Sequence, residues 1–353
     1  IPNLVSRHAY FPGLAKLHSG DLLALFPIGE AFESAMTMFV SRSHDKGQTW
    51  TLEGTMYKDF KLGTGSLKTT VLRDGGLIAL GYGFYRDNPE VLVNPETGGL
   101  PKGVNLVSFS SDEGRTWSRP EVISLSHPEI LETSGPCIEL KNSDLIATGP
   151  PFLMWDGTVP SGRQGFVLRS RDKGKTWDDK TIFYKSPNGN ISPYETRSCE
   201  MPDGRIVIMI WCLDEVAGKN LTNHVVVSHD NGFTWSDPID TGVPGQASNL
   251  MYLGKDMLLT IHCYREGNVG LYVHVIDFAN DKWHVMAREK IWGNVSSQQI
   301  GSLADMGKGL KFGQPSLLQL DNGEILATHW AIEDGQGRIL MHRIRVNLDT
   351  RRK

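Results

Sequence analysis

The residues best suited to chemistry in this 353-residue chain are carboxylates that stand beside aromatic and guanidinium side chains. Glu195 lies in "SPYETRSCEMPDGR" two positions before Arg197, Glu30 and Glu33 lie in "PIGEAFES", and Asp87 follows Tyr85 and Arg86 in "GFYRDNPE". Glycoside hydrolysis needs two carboxyl groups flanking the scissile bond, one protonated as acid and one ionised as nucleophile or base. Glu195 is assigned the nucleophile or base role, and Glu30 first, then Glu33 and Asp87, the acid role, where burial against Tyr or Trp would raise the pKa. A sugar also needs flat apolar faces and fixed polar groups. Arg7, His8, Tyr10, Tyr85, Arg86, Trp155, Arg197, Trp211, Gln246, Tyr264, Arg265, Gln314, His329 and Trp330 are the candidates for that task. Arg86 and Arg265 could grip an acidic sugar by paired hydrogen bonds. A plain ion pair between Glu195 and Arg197, with solvated arginines elsewhere, is the structural alternative.

These positions converge only if the elements carrying them do. The stretch "SHDKGQTW" returns as "SSDEGRTW", "SRDKGKTW" and "SHDNGFTW", closing on Trp50, Trp117, Trp177 and Trp235 at intervals of 67, 60 and 58 residues. A weaker echo, "IDFANDKW", ends at Trp283. Between the boxes lie six apolar hairpins around Asp-Gly-like turns, such as "LKTTVLRDGGLIALGY" and "PSLLQLDNGEILATHW", each followed by a third apolar run. Four antiparallel strands in six units predict an all-β, six-bladed β-propeller, with residues 1–353 as a single domain. The last unit lacks an outer strand, so "NLVSR" at the N-terminus is expected to supply it and close the ring. In such a hairpin the start of strand one and the end of strand two share a rim, which gathers the candidates above, together with Lys68 and Glu132, at one mouth of the channel. The box residues themselves read as turn chemistry: Ser and Asp bond nearby N–H groups, Gly takes positive φ and Trp packs between sheets.

Bulk properties exclude several function classes. A net charge of -4 and a pI near 6.3 offer no field for nucleic acid. No run approaches the ~20 apolar residues of a membrane span, and no Gly-rich phosphate or dinucleotide loop precedes a helix. Four scattered cysteines form neither a disulfide scaffold nor a CxxC pair, and the histidines lack ligand spacing. No metal and no cofactor are expected, and an oligosaccharide or glycan is the expected partner. The N-terminus shows no signal peptide; a secreted or periplasmic location is nonetheless expected for a glycan-acting protein.

The Ser-x-Asp-x-Gly-x-Thr-Trp boxes at blade spacing resemble the Asp-boxes (BNR repeats) of the sialidase, or neuraminidase, superfamily over nearly the full chain. That resemblance implies a six-bladed propeller, a site at one mouth of the channel and exo-acting hydrolysis of a terminal sugar. It also implies an arginine in the first blade, where "AYFPGLAKL" has Tyr10; a second in the fourth blade, where "MIWCLDE" has none; and a tyrosine nucleophile, where "FGQPSLL" has Gln314. The family's fourth-blade glutamate matches Glu195, its fifth-blade start resembles "QAS" from Gln246, and its acid aspartate corresponds to the loop carrying Glu30 and Glu33. The reading is an exo-acting hydrolase of a terminal, possibly acidic, sugar that is not an ordinary sialoside. A non-catalytic carbohydrate-binding propeller, or a polysaccharide lyase built on Tyr10, His8 and Arg7, is the alternative.

Overall fold

The computed structural model describes residues 7–29, 36–60, 64–86, 88, 91–293 and 310–347. They form six antiparallel sheets that follow one another in chain order. Blade four is representative, with an inner strand Ile191–Glu200, then Ile206–Asp214, Thr222–Ser228 and an outer strand Ile239–Pro244. Its second strand, "IVIMIWCLD", is buried at all but its last residue. Neighbouring blades cover both of its faces, so a continuous apolar run replaces the alternation of a half-exposed strand. The outer strand of blade one, Thr51–Thr55, alternates instead between exposed and half-buried positions. The core is divided into clusters lying between adjacent blades: Leu23, Leu25, Met38 and Val40 of blade one pack on Leu67, Leu77, Ala79 and Leu106 of blade two. The one helical turn among the described residues is Ala279–Asp281.

Each box is a self-bonded turn. In the first, Ser43 Oγ donates to Asp45 and accepts from the Gly47 N–H at 2.7 Å, while Asp45 accepts from both the backbone and the hydroxyl of Thr49, at 2.8 and 2.6 Å. The pattern repeats at Asp112, Asp172 and Asp230. The box glycines sit at φ of 80–88°, a region closed to most side chains. The residue before each glycine also has positive φ, and at three boxes its carbonyl is taken by an arginine of the preceding blade. Arg343 reaches Lys46, Arg42 reaches Glu113, and Arg169 reaches Asn231, at 2.6–2.9 Å. The boxes thus knit blade to blade around the circumference.

Blade six, with strands Phe312–Gln319, Ile325–Glu333 and Gln336–Ile344, has three strands among the described residues. Of the stretch "NLVSR" expected to supply its fourth, residues 3–6 lie outside the described residues and Arg7 is in no strand. His8–Ala9 pairs within blade one, against Ile28 and Gly29. Blade six meets blade one directly: Ser316 Oγ donates to the Pro12 carbonyl at 2.9 Å and the Gly337 N–H to His8 Nδ1 at 2.8 Å.

Candidate active site

The inner strands begin with an irregularity that repeats. Phe11, Glu195, Ala247 and Gln314 open blades one, four, five and six with φ of 43–66°, values uncommon for residues other than glycine. In blades four and six the cause is a bulge: the ladder skips from Tyr194 to Arg197 and from Gly313 to Ser316. An extra residue in the inner strand re-aims its side chain at the point where the strands converge. Strain of this kind persists only where surrounding structure enforces it.

Glu195 is the hub. It is buried, its Oε1 accepts from Gln314 Nε2 at 3.2 Å, and its backbone N–H donates to Glu132 Oε2 at 2.7 Å. Arg197, also buried, does not pair with Glu195 as the structural alternative supposed; its Nη1 donates to Ser134 Oγ at 3.0 Å and to the Thr196 carbonyl at 2.8 Å. Arg265 donates through Nε to the Phe312 carbonyl at 3.1 Å, and its backbone N–H is held by Gln246 Oε1 at 2.9 Å. The guanidinium lies 5.9 Å from the Trp211 ring and presses on Gly313, where a Cβ would stand 2.1 Å from its nitrogen. A side chain at that position would displace the guanidinium. Lys68 Nζ bonds the Phe11 carbonyl, linking blades one and two. All six blades thereby contribute to one polar cluster.

The electrostatics of the cluster follow from its burial. The Glu132 carboxyl is pushed up to about 8 by desolvation and by the neighbouring Glu195 carboxylate, against the hydrogen bonds it accepts from Glu195 and Ser134. Burial holds the Lys68 ammonium well below its ordinary range, Arg197 adding to the effect and Glu195 opposing it. The Tyr82 phenol is raised by burial and by Glu132 and Glu195. Three buried polar atoms, Glu195 Oε2, Gln314 Oε1 and Arg265 Nη1, have no hydrogen-bond partner among the described residues. Such atoms occur in other parts of the molecule too, but these three belong to side chains joined through the Gln314–Glu195 bond and the Arg265–Gly313 contact, where one polar ligand could complete their bonding.

Glu195, Arg197, Gln246, Arg265, Gln314 and Trp211 are therefore brought together, Trp211 by its contact with Arg265 and a 2.8 Å bond to Asn220. Tyr10 is buried edge-on to Trp330 at 5.1 Å, its phenol pushed up to about 12 by burial. His8 stacks on Tyr10 at 6.1 Å, while Arg7 is exposed. Tyr264 stacks on Tyr272 at 4.3 Å and bonds His274. His329 packs against His342 of its own blade and against Trp292 of blade five. Arg86 Nε is spent on the Val91 carbonyl. Tyr85 and Trp155 stand out at the rim, 61% and 45% exposed. Glu30, Glu33 and Asp87, the expected acids, lie outside the described residues. The sequence places Glu132 and Lys68 at the mouth and gives neither a role. The signal for Glu132 is its position, a carboxylate opening the blade that precedes Glu195. Among the described residues no group of three His, Cys, Asp or Glu side chains gathers as a metal site would require, and the four cysteines are free thiols.

No family model matches the chain. It is 27% identical to a sialidase of Paraclostridium sordellii over 254 residues, which is 66% of this chain and 59% of that protein. The chain thus spans about three fifths of that relative's length. Among solved structures, the Hadza microbial sialidase Hz136 superposes with a TM-score of 0.70 at 17% identity, covering 96% of this chain and 66% of that one. A Penicillium chrysogenum alpha-L-arabinanase complexed with arabinobiose superposes at 0.65 with 12% identity, covering 96% and 93%. Both structural likenesses are likenesses of fold.

Proposed function

We propose that this chain, a member of the sialidase-like superfamily of six-bladed propellers, is an exo-acting glycoside hydrolase that uses Glu132 and Glu195 as its carboxyl pair. The observation that carries the reading is the buried Glu132–Glu195 contact, with Glu195 Oε2 left unbonded beside it. A carboxyl group that holds its proton beside a second carboxyl group fits the acid and the nucleophile or base of glycoside hydrolysis. Glu132 keeps its proton at neutral pH and serves as the acid; Glu195 acts through Oε2. Gln314 steadies Glu195 through Oε1, and Arg265 Nη1 and Gln314 Oε1 are available to sugar hydroxyls or to a ring carboxylate. Burial of all three side chains favours a chain end over the middle of a polymer. The reading is not one of an ordinary sialoside, because Tyr10 packs against Trp330 where the resemblance calls for a carboxylate-binding arginine, and Gln314 replaces the nucleophilic tyrosine.

The test is turnover by wild type, Glu195→Gln and Glu132→Gln on a panel of aryl glycosides, arabino-oligosaccharides, uronate oligosaccharides and sialyl-lactose. We expect hydrolysis of a non-sialoside substrate, reduced by about a thousandfold or more in Glu195→Gln. Undiminished turnover in that variant removes the catalytic assignment, and release of sialic acid overturns the substrate argument. Since Glu132 must donate a proton, kcat should decline as pH rises through about 8.

A further inference from the structure

We infer a second binding site, for an acidic, carboxylate-bearing sugar chain, in the cleft between the outer edges of blades one and two. The cleft has a volume of about 390 Å³, within the roughly 300–1,000 Å³ of small-ligand sites. It is made by the residues that leave the outer strand Thr51–Thr55 and by the second box, neither of which contributes to the Glu195 cluster. The inference therefore does not rest on the hydrolase reading.

Its lining combines two chemistries. Tyr57 and Phe60 stand perpendicular at 5.6 Å, with Trp117 packed beside them. Lys58, Arg115 and Arg119 are exposed around these rings, and Asp59 is the one acid in the lining. Three cations against one acid give a local excess of positive charge on a chain whose net charge is -4. Arg115 is only loosely engaged, 3.8 Å from Glu113 and 3.4 Å from the Asp112 carbonyl, and Lys58 and Arg119 make no ion pair among the described residues. The Tyr57 hydroxyl is buried beside Ser108, whose own hydroxyl donates to the Ser118 carbonyl. Aromatic planes accept the C–H face of a sugar ring, and guanidinium groups grip a carboxylate through paired N–H donors. A uronate chain presents both groups on each repeat. A polymer held there would stay bound to the protein while its end is worked on elsewhere.

The experiment is titration calorimetry of Glu195→Gln, with a short oligogalacturonate and with a neutral malto-oligosaccharide of the same length. The acidic chain should bind and the neutral one should not, with affinity falling as salt is raised. Arg115→Ala/Arg119→Ala should weaken binding by about tenfold or more, and Arg115→Lys/Arg119→Lys should restore part of it. Both arginines are exposed, so thermal unfolding should be unchanged. In the wild-type background the double alanine variant should leave aryl-glycoside turnover unaltered, which separates failure of this site from failure of the Glu195 assignment. Undiminished affinity in the double alanine variant, equal binding of the neutral chain, no binding of the acidic one, or equally tight binding of a single-stranded oligonucleotide each overturns the proposal.

Discussion

Burying Glu132 against Glu195 destabilises the fold, because a carboxylate placed there loses its water and meets a like charge. The sign follows from proton linkage. In the unfolded chain a glutamate titrates near 4.3, and in the folded one Glu132 holds its proton to about 8. Between those values the folded state binds the extra proton, so stability is greatest below the lower value and is lost as pH rises through the upper one. Glu132→Gln should therefore melt a few degrees above wild type at about pH 8.5 and with a smaller gain at about pH 5, while losing activity at both. A variant that melts lower at alkaline pH would show that the carboxylate is stabilised by something other than its proton. Glu195 could be picked out from the sequence because it opens a strand in a motif. The weight of Glu132 was not legible, because it comes from a contact with the backbone of another blade, 63 positions away.

The strand starts and the box turns divide the labour of each blade between site and scaffold. At the inner end, positive φ at Glu195 and Gln314 stores strain of order 1–3 kcal/mol at each position. Gln314→Gly should relieve part of that strain, leaving the melting temperature level or higher, yet cut kcat by about tenfold as Glu195 Oε1 loses its donor. Unchanged turnover in that variant would remove Gln314 from its positioning role. At the outer end, Asp45 and Asp172 are held at about 2, chiefly by the Thr49 and Thr176 hydroxyls. Their stabilising effect is present above the unfolded value and lost as pH falls from about 4 towards 2. Arg169 carries more, since it is buried between Asp144 and the Asn231 carbonyl of the next blade. Arg169→Ala leaves Asp144 buried without its partner and should cost about 3 kcal/mol in urea unfolding. Cost below ~1 kcal/mol would mean that the arginine link between blades is decorative. The box turn was legible in its eight letters, but the arginine linking one blade to the next was not, since its partner is a backbone carbonyl that any residue could supply.

Among the described residues the six sheets share their cores, each apolar cluster joining at least two blades and one joining blades two, three and four. Blade six meets blade one through Ser316, Gly337 and Arg343, which joins the last blade to the first. Such an arrangement should unfold as a unit. Far-ultraviolet circular dichroism and the fluorescence of the nine tryptophans are expected to trace one coincident urea transition. Separate transitions would show that blades fail independently.

The sequence by itself determined the architecture, because blade count, strand order and turn chemistry are local and periodic: a box of eight letters closes its own hydrogen bonds, and an apolar run between two such turns has nowhere to go but into a sheet. It also placed Glu195, Gln246, Arg265 and Gln314 at one mouth, since strand starts and strand ends must share a rim. Only the tertiary structure decided which of the gathered residues touch. Tyr10 and His329 turn into ring packing, Tyr264 turns to Tyr272 and His274, Arg197 turns to Ser134, and Glu132 moves from the margin to the centre. Side-chain direction at a bulge, and the pKa of a carboxyl group buried beside another, depend on neighbours tens to hundreds of positions away, and no local pattern in the chain encodes them.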